Sequence, residues 1–252
     1  MTLGDQLDEL RKNILRDRSN LFAGDDDRLW DDNSLLRYIK DGERKFSRET
    51  LCLRDSTTPE CTQIKLRTGI ATYPLHPSVI SVLSARFDVD TGDLQRAGHS
   101  IVAQNTPPEW FNFDPMSVLT LQPGRPIAYY TDETLVYARS SRVTLTVYPA
   151  PSSTENGLTL YLRTIRVPMT VYSVDTLDNE SEVPEDYQLD CLEWAAYRAL
   201  RHFDADAGAP TPSQHHKDAY DEAVKKAVKQ LKQSMFAQIG MRYGTNGLSY
   251  VR

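Results

Sequence analysis

The spacing of apolar residues changes twice along this chain of 252 residues, and these changes constrain its fold more than any other feature. From residue 2 to about residue 53 the apolar side chains recur every three or four positions, which predicts helices. After residues 55–59 they alternate with polar ones, which predicts strands. Helical spacing returns after Pro184. The order predicts an α+β protein with a helical bundle portion formed by its N- and C-terminal helices and a central antiparallel β-sandwich or barrel-like portion.

The same changes of pattern predict how the chain is organised. We expect N-terminal helices in residues 1–58, a β-rich portion in 59–174, and C-terminal helices in 175–235 that return to the helical portion. An extended C-terminal tail should occupy residues 236–252. Its glycines disfavour a helix, and its apolar content is too high for a solvated linker.

Two helices are predicted before the strands. Leu3, Leu7, Leu10 and Ile14 share one face of a helix over residues 2–18. The second helix covers residues 35–53, with apolar residues on one side and charged residues, Glu43 among them, on the side facing water. Gly42 weakens the prediction that this second helix is unbroken.

Regular alternation marks the clearest strands. Residues 143–147 and 158–162 each alternate aliphatic and polar side chains, and a polar turn at residues 152–157 lies between them. This pattern predicts a hairpin of two half-buried strands.

The helix that begins after Pro184 indicates assembly rather than chemistry. It carries no group poised for a reaction, and its small residues would let another helix approach closely. We therefore predict contacts with another helix or a neighbouring subunit through Tyr187, Cys191, Trp194, Ala195 and Ala199.

Composition narrows the possible partners and compartment. The net charge of −6 disfavours non-specific attraction of the whole surface to nucleic-acid phosphates. No window has the roughly 18 apolar residues of a membrane span, and residues 1–18 do not resemble a signal peptide. We expect a cytosol-like compartment, where Cys52, Cys61 and Cys191 would be reduced thiols.

A search for catalytic, cofactor and metal motifs gives no candidate. His215 with Asp218, and Asp204 with Asp206, are better explained as solvated surface groups than as ligands. We predict no catalytic residue, no cofactor and no metal. Trp110, Phe111 and Phe113 form either a sugar-stacking platform or a loop that packs on the sheet or on a neighbouring subunit.

A series of motifs resembles the head-to-tail adaptor, or connector, proteins of tailed bacteriophages. They lie within residues 3–232, in this order: Leu7-x-x-Leu10-Arg11-x-x-Ile14-Leu15-x-Asp17, Leu29-Trp30-Asp31-x-x-Ser34-Leu35-Leu36-x-Tyr38-Ile39, Phe46-x-Arg48-x-Thr50, Tyr73-Pro74-Leu75, Val147-Tyr148-Pro149 at the end of the first hairpin strand, and Pro184-Glu185-x-Tyr187 with Trp194-Ala195-x-Tyr197-Arg198-Ala199.

The resemblance implies a structural protein of the virion, made in the bacterial host cytoplasm. It implies a homo-oligomeric ring, commonly of twelve copies, that joins the portal to a tail or nozzle protein and extends the channel through which DNA passes without specific binding. The aromatic residues Trp110, Phe111 and Phe113 would then lie in a tail-side loop. The C-terminal tail would bind the portal through its apolar residues, which are Phe236, Ile239, Met241, Tyr243, Leu248, Tyr250 and Val251.

A second function remains open at this point. A β-sandwich with helical decoration is also typical of a carbohydrate-binding module, with Trp110 on the sugar. An unidentified hydrolase is a third possibility, but no residue set in the sequence supports it.

Overall fold

The structure is a computed structural model, and it describes residues 1–17, 29–87, 100–103, 123–133, 143–201 and 212–247. The chain divides into two compact units. The helical unit consists of residues 1–53 and 168–252, and the strand unit consists of residues 54–167. The boundaries between the units lie after residues 53 and 167. The sequence predicts them a few residues later, after residues 58 and 174.

The chain begins with a capped helix. Helix α1 spans Leu3–Glu9 and continues directly into a π-helical segment, Leu10–Ile14. The Thr2 hydroxyl accepts a hydrogen bond from the Asp5 N–H (3.1 Å), and the Asp5 carboxylate accepts one from the Thr2 N–H (3.0 Å). This reciprocal pair satisfies N–H groups at the start of the helix that would otherwise lack partners.

The predicted N-terminal helix is confirmed, with an earlier end. Leu3, Leu7 and Leu10 are buried on one face, as their spacing predicts. The helical run stops at Ile14 because Arg16 takes the left-handed conformation, with φ of 55°.

Helix α2 spans Asp32–Thr50 without a break at Gly42. The Asp31 carboxylate caps its start by accepting a hydrogen bond from the Ser34 N–H at 3.3 Å. Its end is set by Leu51, which adopts a left-handed φ of 56°.

The C-terminal helices run antiparallel to each other. Helix α4 spans Glu185–Leu200 and helix α5 spans Pro212–Gly247. Glu193 Oε2 lies 2.7 Å from His216 Nδ1, and the Tyr187 hydroxyl donates a hydrogen bond to Gln230 Oε1 at 3.0 Å. Gln230 therefore already lies beside the first turn of α4. The next 17 residues of α5 extend beyond the start of α4 by about 25 Å, at 1.5 Å per residue.

The extended tail predicted from residue 236 is wrong for residues 236–247, which continue α5. Each glycine costs a helix roughly 1 kcal/mol relative to alanine. Elongation of a helix that already exists is nevertheless cooperative, because each added residue gains one backbone hydrogen bond. Residues 248–252 lie outside the described part of the chain.

The strand unit is mainly antiparallel. Besides the short helix α3, Pro59–Thr62, it contains β1 (Arg54–Asp55), β2 (Gln63–Lys65), β3 (Thr72–Pro74), β4 (Val79–Phe87), β5 (Ser100–Ala103), β6 (Ala128–Glu133), β7 (Val143–Tyr148) and β8 (Thr159–Arg166). The strand order is β1-β8-β4-β5-β6-β7-β3, and β2 pairs with β8 on the same edge as β1. The described strands do not close into a barrel.

Strand β5 joins the two halves of this sheet. Ile101 pairs with Ala85 of β4 in antiparallel register, whereas Val102 pairs with Ala128 of β6 in parallel. A strand that exchanges partners along its length carries the chain from one sheet to the next, as at the corner of a sandwich.

The predicted hairpin of residues 143–147 and 158–162 is wrong, although both segments are strands. Strand β7 pairs with β6 and β3, and β8 pairs with β4, β1 and β2. Each strand buries one face in alternation, as predicted. The ten residues between them are long enough to lead the chain to a different sheet neighbour, so local alternation does not determine the pairing.

Candidate interaction surfaces

Among the described residues, no group of three or more His, Cys, Asp or Glu side chains could hold a metal ion. Cys52, Cys61 and Cys191 are free thiols. Burial raises the pKa of all three, which lowers the thiolate fraction needed for nucleophilic chemistry.

The small residues predicted to pack helices lie in the interior of the helical unit. Cys191, Ala195 and Ala199 of α4 are fully buried. Ala195 and Ala199 belong to the core formed with leucines of α1 and α2, and Cys191 belongs to a second core with Phe46 and Tyr220. Their packing partners are helices of the same chain.

Helices α2 and α4 cross in close contact at Gly42. A Cβ atom at this position would lie 2.5 Å from the carbonyl oxygen of Cys191. That separation is far shorter than any carbon–oxygen van der Waals contact, so only glycine fits the crossing.

Tyr187 and Trp194, the two large residues predicted for packing, join an aromatic cluster. The Tyr187 ring lies 5.3 Å from that of Phe46, and the Trp194 ring lies 5.2 Å from that of Tyr220, measured between centroids. These distances are typical of favourable ring pairs. Through Phe46 and Tyr220 the cluster ties α4 to both α2 and α5.

A cation and a carboxylate from α2 complete this cluster. Lys45 Nζ lies 4.6 Å from the Trp194 ring centroid and 5.3 Å from that of Tyr220. The Tyr220 hydroxyl donates a hydrogen bond to Glu49 Oε2 at 2.9 Å. Burial, together with this hydrogen bond, raises the pKa of Tyr220 well above its ordinary value, so the phenol stays protonated.

Glu43 is fully buried, and the prediction that it faces water is wrong. Its Oε1 accepts hydrogen bonds from Gln6 Nε2 (2.9 Å) and Ser181 Oγ (2.6 Å), and its Oε2 accepts one from the Tyr172 hydroxyl. Burial and the adjacent carboxylate raise the pKa of Tyr172, which keeps this donor protonated. One carboxylate thus connects α1, α2 and the segment that leads to α4.

Arg11 connects the N-terminal helical run to the start of α2. Its guanidinium donates to Asp17 Oδ2 (3.0 Å) and to the Trp30 carbonyl (3.0 Å), and it forms an ion pair with Asp32. The Trp30 indole in turn donates to the carbonyl of Ala199 at 3.3 Å. These motif residues therefore have structural roles at the junction of three helices.

In the strand unit, Asp55 and Arg166 form the corresponding buried pair, with Arg166 Nε donating to Asp55 Oδ2 at 2.6 Å. Burial alone would raise the pKa of Asp55. Hydrogen bonds from Thr58, Thr57 and Arg166 outweigh it and hold that pKa well below its ordinary value.

Two exposed surfaces of the helical unit combine apolar and charged groups. The first, the acidic face, is formed by Leu189 of α4, which is 55% exposed, with the exposed Glu185 and Asp186 and the half-buried Glu193, whose carboxylate also contacts His216. The second, the lysine groove, follows α5 and has an apolar floor. It is lined by Val224, Lys225, Val228, Lys229, Lys232 and Gln233.

The remaining predicted site residues lie wholly or partly outside the described structure. Trp110, Phe111 and Phe113 are outside the described residues, as are Leu248, Tyr250 and Val251. Phe236, Ile239, Met241 and Tyr243 belong to the backbone of α5.

Sequence reasoning did not predict the close crossing at Gly42, the buried roles of Glu43 and Arg11, or the lysine groove. A glycine within a strong helical pattern is the available signal for a close crossing. The available signal for the groove is the helical spacing of its residues: Val224 and Val228 are one turn apart, and each is followed by a lysine. Nothing local marks Glu43, since its partners come from distant segments.

The fold is of the α+β class, with one helical unit and one strand unit. The model of the family described as SU10 adaptor protein matches residues 1–242. The chain belongs to this family, and it is therefore a bacteriophage adaptor protein and a component of the virion. No curated protein matches the chain. Among the helices that the structure describes, none contains a stretch apolar enough to span a lipid bilayer.

Proposed function

We propose that this chain is a structural head-to-tail adaptor that forms a ring, of twelve copies, between the portal and the tail of a phage. The observation that carries the proposal is the family match over residues 1–242. The helical unit supports it, because its buried polar network and close helix crossings suit a rigid building block.

The ring would extend the channel through which DNA passes. The net charge of −6 supports this role, since an acidic protein does not retain a polyanion by general electrostatic attraction. DNA would move through without specific binding, and the protein would act without catalysis or a cofactor. We place its synthesis in the cytoplasm of the bacterial host and its final position at the head–tail interface.

Residues 236–252 are our candidate for portal binding. Residues 236–247 would bind as the end of helix α5, followed by residues 248–252. Residues 231–247 of α5 extend beyond the start of α4. Glycines weaken a helix, so packing against a partner would stabilise this part of α5. Contact with a portal would supply such packing through the apolar residues of 236–252.

The residues of the helix crossings would keep each copy rigid, so contacts between copies would use other faces. Tyr187, Cys191, Trp194, Ala195 and Ala199 hold helices together within one chain. Trp110, Phe111 and Phe113 stay a prediction for a loop that contacts the tail or nozzle protein. The carbohydrate-binding alternative depends on the same three residues, and no observation on the described residues supports it.

Electron microscopy of the full chain mixed with the portal particle of the same phage tests the proposal. We expect an added ring of density at one end of the portal, coaxial with its channel. Portal alone and the chain alone are the controls. Portal particles that stay unchanged at saturating concentrations of the chain would overturn the proposal.

A further inference from the structure

We propose that the acidic face of one copy docks into the lysine groove of the next copy, and that this contact closes the ring. The inference rests on the proposed function, because it assigns the surfaces by which neighbouring copies meet. It is carried by the opposite charges of two exposed surfaces of the helical unit, each of which also presents apolar side chains.

The lysine groove combines apolar side chains with a positively charged rim, as a docking site for an acidic surface would. Val224 and Val228 are only partly covered by the chain itself, and both line the groove. Lys225, Lys229 and Lys232 are exposed at its rim. None of these three lysines forms an ion pair within the described residues, whereas the nearby Lys226 pairs with Glu222 at 2.9 Å. The groove therefore suits an apolar side chain surrounded by carboxylates.

The acidic face is such a surface. Leu189 is a large apolar side chain of α4 that is exposed over 55% of its surface. Glu185 and Asp186 lie one turn before it and Glu193 one turn after it, so all three carboxylates border the leucine. Glu185 and Asp186 form no ion pair among the described residues. Glu193 also contacts His216 of the same chain, so Glu185 and Asp186 are the carboxylates of this face that would pair with the lysines of the groove.

Leu189 and Val228 lie on different faces of the α4–α5 pair, so a contact between them would join two copies. Tyr187 and Gln230 mark where the helices face each other. At 100° per residue, Leu189 lies about 160° around α4 from Tyr187, and Val228 lies about 160° around α5 from Gln230. A contact between different surfaces of identical copies is heterologous, and it forms a ring when the rotation closes.

Disulfide crosslinking tests the contact directly. A chain carrying both Leu189→Cys and Val228→Cys, assembled on the portal and oxidised, should give a ladder of covalent multimers. The unsubstituted chain is one control, because burial raises the pKa of its three native thiols. The matched control is Leu189→Cys with Gln214→Cys, at an exposed site on the same helix about 21 Å from residue 228. Neither control should give a ladder.

Charge reversal supplies an independent readout. Lys225→Glu with Lys229→Glu should lower the amount of assembled ring at least about tenfold at low salt, because like charges would then face each other. A second reversal, Glu185→Lys with Asp186→Lys in the same chain, should restore most of it. All four side chains are exposed, and circular dichroism should show that the variants stay folded.

The outcomes separate this proposal from the proposed function. Rings that form without a crosslink between residues 189 and 228, or that ignore the charge reversal, would overturn the interface and leave the adaptor ring intact. Failure of the unsubstituted chain to form any ring on the portal would overturn both.

Discussion

Gly42 of α2 lies so close to Cys191 of α4 that no side-chain atom fits between the two helices at this point. A Cβ at Gly42 would lie 2.5 Å from the Cys191 carbonyl oxygen. The carbonyl belongs to the helix backbone and cannot move away alone. The separation of α2 from α4 is therefore set by the absence of one side chain.

Replacing this glycine should destabilise the helical unit. Gly42→Ala would gain up to about 1 kcal/mol of helix propensity but would force α2 and α4 apart, and overpacking typically costs about 1–3 kcal/mol. We expect a net loss of about 1–2 kcal/mol in the free energy of unfolding, measured in urea. Gly4→Ala in α1 is the matched control, because its Cβ would lie 3.4 Å from the nearest atom, the Leu177 carbonyl oxygen. Equal stability of both variants would contradict the crossing.

Removing the Glu43 carboxylate should cost more than removing one of its donors. Glu43→Leu leaves the buried donors of Gln6, Ser181 and Tyr172 without their acceptor, which we expect to cost about 2–4 kcal/mol of unfolding free energy. Tyr172→Phe removes one donor and should cost about 1 kcal/mol. The order of the two losses is the test, and a larger loss for Tyr172→Phe would refute the role of Glu43 as the shared acceptor.

Asp55 should make the strand unit sensitive to acid. The pKa of this carboxyl is lower in the folded protein than in the unfolded chain, where it is about 3.9, so the ionised form stabilises the fold. That contribution is complete above about pH 5 and is lost as the pH falls through 4 towards the folded-state pKa. Asp55→Asn should lower stability by about 3 kcal/mol at pH 7 and weaken its dependence on pH below 5.

Urea midpoints between pH 7 and pH 3 measure this effect. Asp8→Asn is the control, because the Asp8 carboxylate pairs with Lys12 at an exposed site and should contribute less than about 0.5 kcal/mol. Parallel pH curves for the unsubstituted chain and Asp55→Asn would show that the buried pair does not govern the acid response.

Deleting residues 237–252 should abolish portal binding and leave the helical unit folded. The deleted residues lie beyond Gln230, where α5 has already passed the first turn of α4. Binding is measured by co-sedimentation with the portal, and folding by the urea midpoint. A chain in which the same positions carry a Gly-Ser sequence separates length from side-chain identity. Undiminished portal binding by the deletion variant would refute the assignment.

The sequence predicts elements well where local periodicity reflects the buried face. Leu35, Leu36 and Ile39 recur at helical spacing and are buried in α2, and β7 alternates buried and half-buried residues. Fold class follows from such elements in order. The correct mix of helices and antiparallel strands was therefore predictable.

Features that depend on distant partners were not predictable in this way. A glutamate in a helix is usually exposed, and the burial of Glu43 depends on hydrogen bonds from Gln6, Tyr172 and Ser181. The pairing of β7 and β8 with other strands likewise depends on long-range contacts. The C-terminal segment is helical to Gly247 and not extended as predicted, because the cooperativity of helix elongation in α5 outweighs the low helix propensity of its glycines.

The mass of the assembled particle tests the central claim most directly. The portal of the same phage is weighed alone and after saturation with the full chain, by native mass spectrometry or light scattering. Dividing the added mass by the 28.6 kDa of one chain gives the number of bound copies. A ring adaptor predicts a single discrete value, with twelve copies expected. No added mass, or a continuous spread of masses, would contradict the account.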